Sequence, residues 1–126
     1  MEEIKTNLAP KAIGPYSQAI IEGNFIFCSG QIPINSETGI VIDGGIKEQT
    51  EQVIKNLKVV LNEAGVDLAN VVKTEVYLSN IENFVLMNEI YANNFFSQPY
   101  PARVTVEVSR LPKDVLIEIS CIAYKK

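Results

Sequence analysis

Pro101-Ala102-Arg103-Val104-Thr105-Val106-Glu107-Val108 and Val115-Leu116-Ile117-Glu118-Ile119-Ser120-Cys121 read as two β-strands that close the chain, joined through Arg110-Leu111-Pro112-Lys113-Asp114. Successive side chains of a strand point to opposite faces. On the first strand, Arg103 to Ser109, Val104, Val106 and Val108 share one face, and Arg103, Thr105 and Glu107 share the other. On the second, Val115 to Tyr124, the face of Val115, Ile117, Ile119, Cys121 and Ala123 opposes that of Leu116, Glu118, Ser120, Ile122 and Tyr124. The all-apolar faces are expected to pack beneath helices. Arg103 and Glu118 then project from the opposite face, where a short hairpin brings them near one another. Such a pair is either a structural ion bridge or a site that holds a small acid and a water. Spacing leaves both readings open.

Upstream, the same alternation predicts a hairpin from Ser17 to Glu22 and Asn24 to Gly30 around Gly23-Asn24. Asn35-Ser36-Glu37-Thr38-Gly39 reads as a turn, with a short strand through Ile40 to Ile42 after it. Ile46, Val53, Leu57, Val60, Leu61 and Ala64 recur at helical spacing, and Gly65 supplies a stop, which predicts a helix over 46–64. Val71 to Leu78 reads as a strand with Val72, Thr74, Val76 and Leu78 on one face and Lys73, Glu75 and Tyr77 on the other. A second helix is expected from about Glu82 to Phe96, where Phe84, Met87, Tyr91 and Phe95 form a stripe suited to a core. Pro99-Tyr100-Pro101 ends it, because a residue before proline is pushed out of helical angles. Strands, helix, strand, helix, strands make an α+β domain with two helices on one face of a mixed sheet.

The second face of that sheet carries Leu116, Ile122, Leu78 or its neighbour Tyr77, too much apolar surface for water, so association with another subunit is the natural cover. At 126 residues the chain suits one domain, 1–126, and needs neither disulfide nor metal to fold. The two cysteines, Cys28 and Cys121, read as buried thiols of a reducing cytoplasm. With no histidine in the chain, acid–base chemistry falls to carboxylates, tyrosines, lysines, cysteines or water. A net charge of −4 with scattered lysines argues against a broad nucleic-acid footprint. Apolar runs of at most four residues exclude a membrane-spanning helix, and Met1-Glu2-Glu3 is unlike a signal peptide.

Three blocks carry a resemblance: Ala12-Ile13-Gly14-Pro15-Tyr16-Ser17-Gln18-Ala19, Cys28-Ser29-Gly30-Gln31-Ile32-Pro33, and the closing strands with their Arg110-Leu111-Pro112-Lys113-Asp114 turn. Together, in this order and over essentially the whole chain, they resemble the RidA family (YjgF/YER057c/UK114). The resemblance implies a chorismate-mutase-like fold, with a mixed six-stranded sheet, two helices on one face, and assembly as a homotrimer around a central sheet barrel with sites between subunits. It also implies a cofactor-free, metal-free deaminase of reactive enamines and imines such as 2-aminoacrylate and 2-aminocrotonate. These are released by pyridoxal-phosphate-dependent dehydratases, and the products are 2-oxo acids and ammonia.

The resemblance assigns Arg103 to the substrate carboxylate and Glu118 to the attacking water. It places Tyr16, Ser29 and Gly30 around the pocket and has Asn88 complete it. Many members carry cysteine where this chain has Thr105; the backbone N–H there is implied to bind the carboxylate, and threonine keeps it. Two other readings stand beside this one. One is a non-catalytic regulatory trimer that binds 2-oxo acids or other small carboxylates through Arg103. The other, a ribonuclease associated with parts of the family, is disfavoured by the acidic balance and the missing histidine.

Overall fold

Isoleucine, valine, phenylalanine and cysteine at alternate positions favour a pleated, half-buried backbone, and they build the centre of the sheet. The computed structural model describes residues 1–95 and 99–126. Its strands are β1 (Glu2–Ile4), β2 (Ala19–Glu22), β3 (Phe25–Gln31), β4 (Val71–Leu78), β5 (Ala102–Glu107) and β6 (Ile117–Tyr124), and its helices are α1 (Ile46–Glu63) and α2 (Phe84–Asn94). The six strands form one mixed sheet in the order β1-β2-β3-β6-β4-β5. Only the β4–β5 pair is parallel.

One face of the sheet lies under the helices. Ile26 and Cys28 of β3, Thr74, Val76 and Leu78 of β4, and Ile117, Ile119, Cys121 and Ala123 of β6 are buried there. They pack with Val53, Leu57, Val60 and Leu61 of α1 and Met87 and Tyr91 of α2. Cys28 and Cys121 are both free thiols and face each other across the β3–β6 register. The hydrogen bond that the Cys121 thiol donates to Cys28, together with burial, pushes Cys121 well above its ordinary range.

The expected first hairpin is β2–β3, turning at Gly23 with φ +59. Helix α1 ends at its Ala64 cap, and Gly65 takes φ +86. The Asn35–Gly39 turn forms, with the Gly39 N–H donating to the Asn35 carbonyl at 2.8 Å. Residue 40–42 backbone makes only a single bridge, Ile34 with Val41, because no second strand extends alongside it. The second helix is shorter than expected: Ile81–Asn83 forms a 3-10 turn in which the Asn80 side chain accepts from the Glu82 N–H. Its expected end at Phe96 lies outside the described residues.

Two expectations about the closing strands are overturned. They do not form a hairpin. The β4–α2–β5 segment is a crossover that lays β5 parallel to β4 at the edge of the sheet, and β6 inserts on the other side of β4. The connection from β5 to β6 turns through Lys113 and Asp114, both at positive φ, and is braced by Arg110 Nε donating to Asp114 Oδ1 at 2.7 Å.

The faces of β5 are also reversed. Arg103 is in register with Thr74, and Thr105 with Val76, so both point to the helix side. Val104 and Val106 pair with Glu75 and Tyr77 and lie on the open side, about two-fifths exposed (42% and 40%). Helix α2 covers only the Arg103 side of β5, so the valines on its other side have no core to enter. On β4 a bulge between Val71 and Lys73 leaves Val72 exposed, while Val71 takes the buried place.

The open face, then, carries Phe25 and Phe27 of β3, Ile122 and Tyr124 of β6, and Val104 and Val106 of β5. Leu78, Leu116 and Val115 do not contribute to it: Leu78 and Val115 are buried, and Leu116 packs against the core. Among the described residues, no helix is long and apolar enough to cross a membrane.

Candidate active site

Arg103 and Glu118 sit on opposite faces. Arg103 is opposite Thr74 on β4, and Glu118 is opposite Tyr77 on the same strand. Two strand spacings and three residues of rise separate them, roughly 14 Å between Cα atoms. Within one chain that geometry rules out an ion pair between the two, and the two charges belong to different surroundings.

The Arg103 half-site is built by α2. Arg103 Nη1 donates to Asn88 Oδ1 at 2.7 Å. Its guanidinium carbon lies 4.7 Å from the Tyr91 ring centre and 5.6 Å from that of Phe84. An open cleft of about 560 Å³ is lined by Asn88, Tyr91, Ala92, Tyr100, Pro101 and Arg103. Strand β5 is an edge, and just past its end the Val108 N–H is already spent on the Leu78 carbonyl at 2.8 Å. Alternation then turns the Arg103 and Thr105 N–H groups away from β4, toward the free edge beside the guanidinium. A charged fork and an unpaired backbone N–H at one rim suit a carboxylate. Thr105 Oγ1 is buried and has no hydrogen-bond partner among the described residues.

The Glu118 half-site is on the open face. Glu118 is half-buried, and burial raises its carboxyl above the usual range. Among the described residues no donor is aimed at its carboxylate, which leaves its oxygens free for a water or a ligand. Its neighbour Gly30 is tied to it sterically: a Cβ at Gly30 would collide with the Glu118 carboxylate. Only glycine lets the β3 main chain pass this close. Gly30 also lines a second cleft, of about 410 Å³, with Tyr16, Gln18, Ile13, Ile32 and Lys113.

Tyr16 is exposed, and its ring rests beside Gly14. The Ser29 hydroxyl donates to the Ser17 carbonyl at 2.6 Å, and the Ser29 N–H to the Gln18 carbonyl at 3.0 Å, so that serine ties the Tyr16 segment to β3. Next to Glu118 on the open face, Glu75 accepts from Ser120 Oγ at 3.2 Å and from the Tyr77 hydroxyl at 3.4 Å. Burial first and then the Glu75 charge push the Tyr77 hydroxyl upward.

The seven residues singled out from the sequence thus fall into two groups. Arg103, Asn88 and Thr105 meet at the α2–β5 rim, and Glu118, Gly30, Ser29 and Tyr16 meet at the β3–β6 side. The structure does not bring the groups together within one chain. The sequence reading missed Phe84 and Tyr91 as contacts of Arg103. Their signal was the Phe84-x3-Asn88-x2-Tyr91 spacing, which sets an amide between two rings on one helix face.

Sheet order, helix layer and cleft positions define an α+β fold shared with solved RidA structures. RidA from an Antarctic Psychrobacter superposes with a TM-score of 0.94 at 42% identity, over 98% of this chain and 99% of that one. TdcF of E. coli, solved with bound serine, superposes with a TM-score of 0.95 at 36% identity over the whole of both chains. The chain belongs to the Rid/RutC family. The family model described as Endoribonuclease L-PSP matches residues 6–125. A RutC family protein of Pyrococcus abyssi is 60% identical over 99% of this chain and 98% of its own length. Reactive Intermediate Deaminase A of Arabidopsis thaliana, a chloroplastic protein, is 45% identical over 97% of this chain and 65% of its own length.

Proposed function

We propose that this protein hydrolyses reactive 2-imino acids, such as 2-iminobutanoate and 2-iminopropanoate, to 2-oxo acids and ammonia, in a homotrimer whose sites lie between subunits. The observation that carries the reading is the separation of Arg103 and Glu118 onto opposite faces of one chain. A substrate small enough to be touched by both needs the Arg103 rim of one copy against the Glu118 side of the next. The apolar open face, with Phe25, Phe27, Val104 and Val106 all about two-fifths exposed, gives the copies a reason to associate. The serine bound to TdcF supports a small carboxylate as ligand, and the Arabidopsis relative's name supports the reaction.

In this reading Arg103 and the Thr105 N–H hold the substrate carboxylate and fix the imine carbon. Glu118 of the adjoining copy orients a water and takes its proton as oxygen bonds to that carbon. The C=N pair moves to nitrogen, which takes that proton from Glu118 to become an amino group; Glu118 then carries the hydroxyl proton of the adduct to the same nitrogen, and the C–N bond breaks as the C=O bond forms, releasing ammonia. Gly30 gives main chain close access, and Tyr16 and Ser29 shape the wall. An imine carbon is already electrophilic, so these groups suffice without a cofactor. The substrate would come from pyridoxal-phosphate-dependent dehydratases in the same cytoplasm.

Adding the protein to threonine dehydratase and threonine should speed release of 2-oxobutanoate. Arg103→Ala should weaken carboxylate capture about a hundredfold, as expected for loss of a charge-assisted pair. Equal acceleration by the variant would remove Arg103 from the mechanism. A role confined to binding 2-oxo acids would show as undiminished affinity in Glu118→Gln together with no turnover in the parent protein.

A further inference from the structure

We propose that Tyr91 is a positioning residue for Arg103: its buried ring is the platform that holds the guanidinium fork ready for a carboxylate. This rests on Arg103 being the carboxylate grip. An arginine on an exposed edge strand is ordinarily free to sample many rotamers, and ordering it on binding weakens affinity. Here three contacts from α2 meet the side chain in the ligand-free chain. Phe84, Asn88 and Tyr91 stand at i, i+4 and i+7 on one side of α2, and all three contact Arg103. Tyr91 approaches most closely of the two rings, at 4.7 Å against 5.6 Å for Phe84.

The platform is itself immobile. The Tyr91 hydroxyl is 2.7 Å from Thr74 Oγ1, which is fully buried. The ring stacks with Phe95 at 4.5 Å between centres, and Tyr91 as a whole is only 5% exposed. Swinging the ring outward would orphan the Thr74 hydroxyl inside the core. Asn88 takes one N–H of the guanidinium, whose carbon lies over the Tyr91 ring. The remaining in-plane donors therefore stay available at the cleft. Asn88 alone, a part-buried neutral acceptor, fixes one nitrogen. The ring fixes where the guanidinium carbon rests.

The test uses two double variants in which Thr74→Val keeps the core free of an unpaired hydroxyl. In Tyr91→Leu/Thr74→Val the ring is lost; in Tyr91→Phe/Thr74→Val only the hydroxyl pair is lost. Calorimetric titration with 2-oxobutanoate should show about tenfold weaker binding for the leucine variant, near 1.4 kcal/mol, and affinity within about twofold of the parent for the phenylalanine variant. KM for the imine should rise by a similar factor while kcat stays within about threefold, since the grip acts on ground and transition states alike. In the ligand-free protein, the Arg103 Nε–H resonance should be ring-current shifted in the parent and in the phenylalanine variant, and should move to the ordinary arginine position in the leucine variant.

A folded leucine variant that binds 2-oxobutanoate as tightly as the parent overturns the proposal, as does an unshifted, mobile Arg103 resonance in the parent. If the parent neither binds 2-oxobutanoate nor hydrolyses the imine, the reading of the site fails. The ligand-free Arg103 resonance then decides the role of Tyr91 by itself.

Discussion

Glu118 carries its charge at a cost, because burial opposes ionisation and among the described residues no donor offsets it. Its folded pKa therefore lies above the unfolded value. The associated stability is fully present below the unfolded carboxylate range and is lost as pH rises through the raised folded value. Denaturant melts of the parent from about pH 4 to about pH 7 should show that decline, and Glu118→Gln should lack it. The same shift governs activity with the opposite sign. A base must be ionised, so turnover should fall on acidification at a pH above the ordinary carboxylate range. An acidic limb at the reference glutamate value would show that Glu118 is solvated as it works.

At the scale of elements, β3 and β6 are held in the register that lets Glu118 lie across Gly30. Gly30→Ala should push the Glu118 carboxylate aside with little loss of stability, because the side chain's free end can swing away. Activity should fall further than the melting temperature alone accounts for, and a fully active Gly30→Ala protein would contradict the close packing described. The same strands show how far pattern reading reaches. Alternation assigned the buried face of β6 and the extent of α1 up to Gly65, because both lie in the core and their apolar period is dictated by it. It misassigned β5, where Val104 and Val106 look like core residues but face the open side. Period tells which residues share a face; it does not tell which face the helices cover. The crossover through α2, which sets β4 between β5 and β6, is a long-range choice that no local turn signal records. Strand β1 was invisible because Glu2, Glu3 and Ile4 are too few to show a period. The candidate residues other than Asn88 stand in the motif blocks. Their division between two faces was not legible there, since it follows from the strand order.

For the whole molecule, the open face is the feature on which the proposed assembly rests. Its aromatic and valine side chains span β3, β6 and β5, and the chain's mass is 14.0 kDa. Light scattering should give a trimer of about 42 kDa, and Val106→Asp should shift it toward the single chain by placing a charge in the contact. A monodisperse single chain in the parent would leave the two half-sites apart. The division of the site between copies is tested most directly by mixing two inactive proteins. Arg103→Ala and Glu118→Gln chains, dissociated together and reassembled in equal amounts, should regain about a quarter of the parental rate of 2-oxobutanoate formation, because one interface in four then joins an intact Arg103 to an intact Glu118. A mixture no more active than its two components would place both residues in a site belonging to one chain, and would contradict the account.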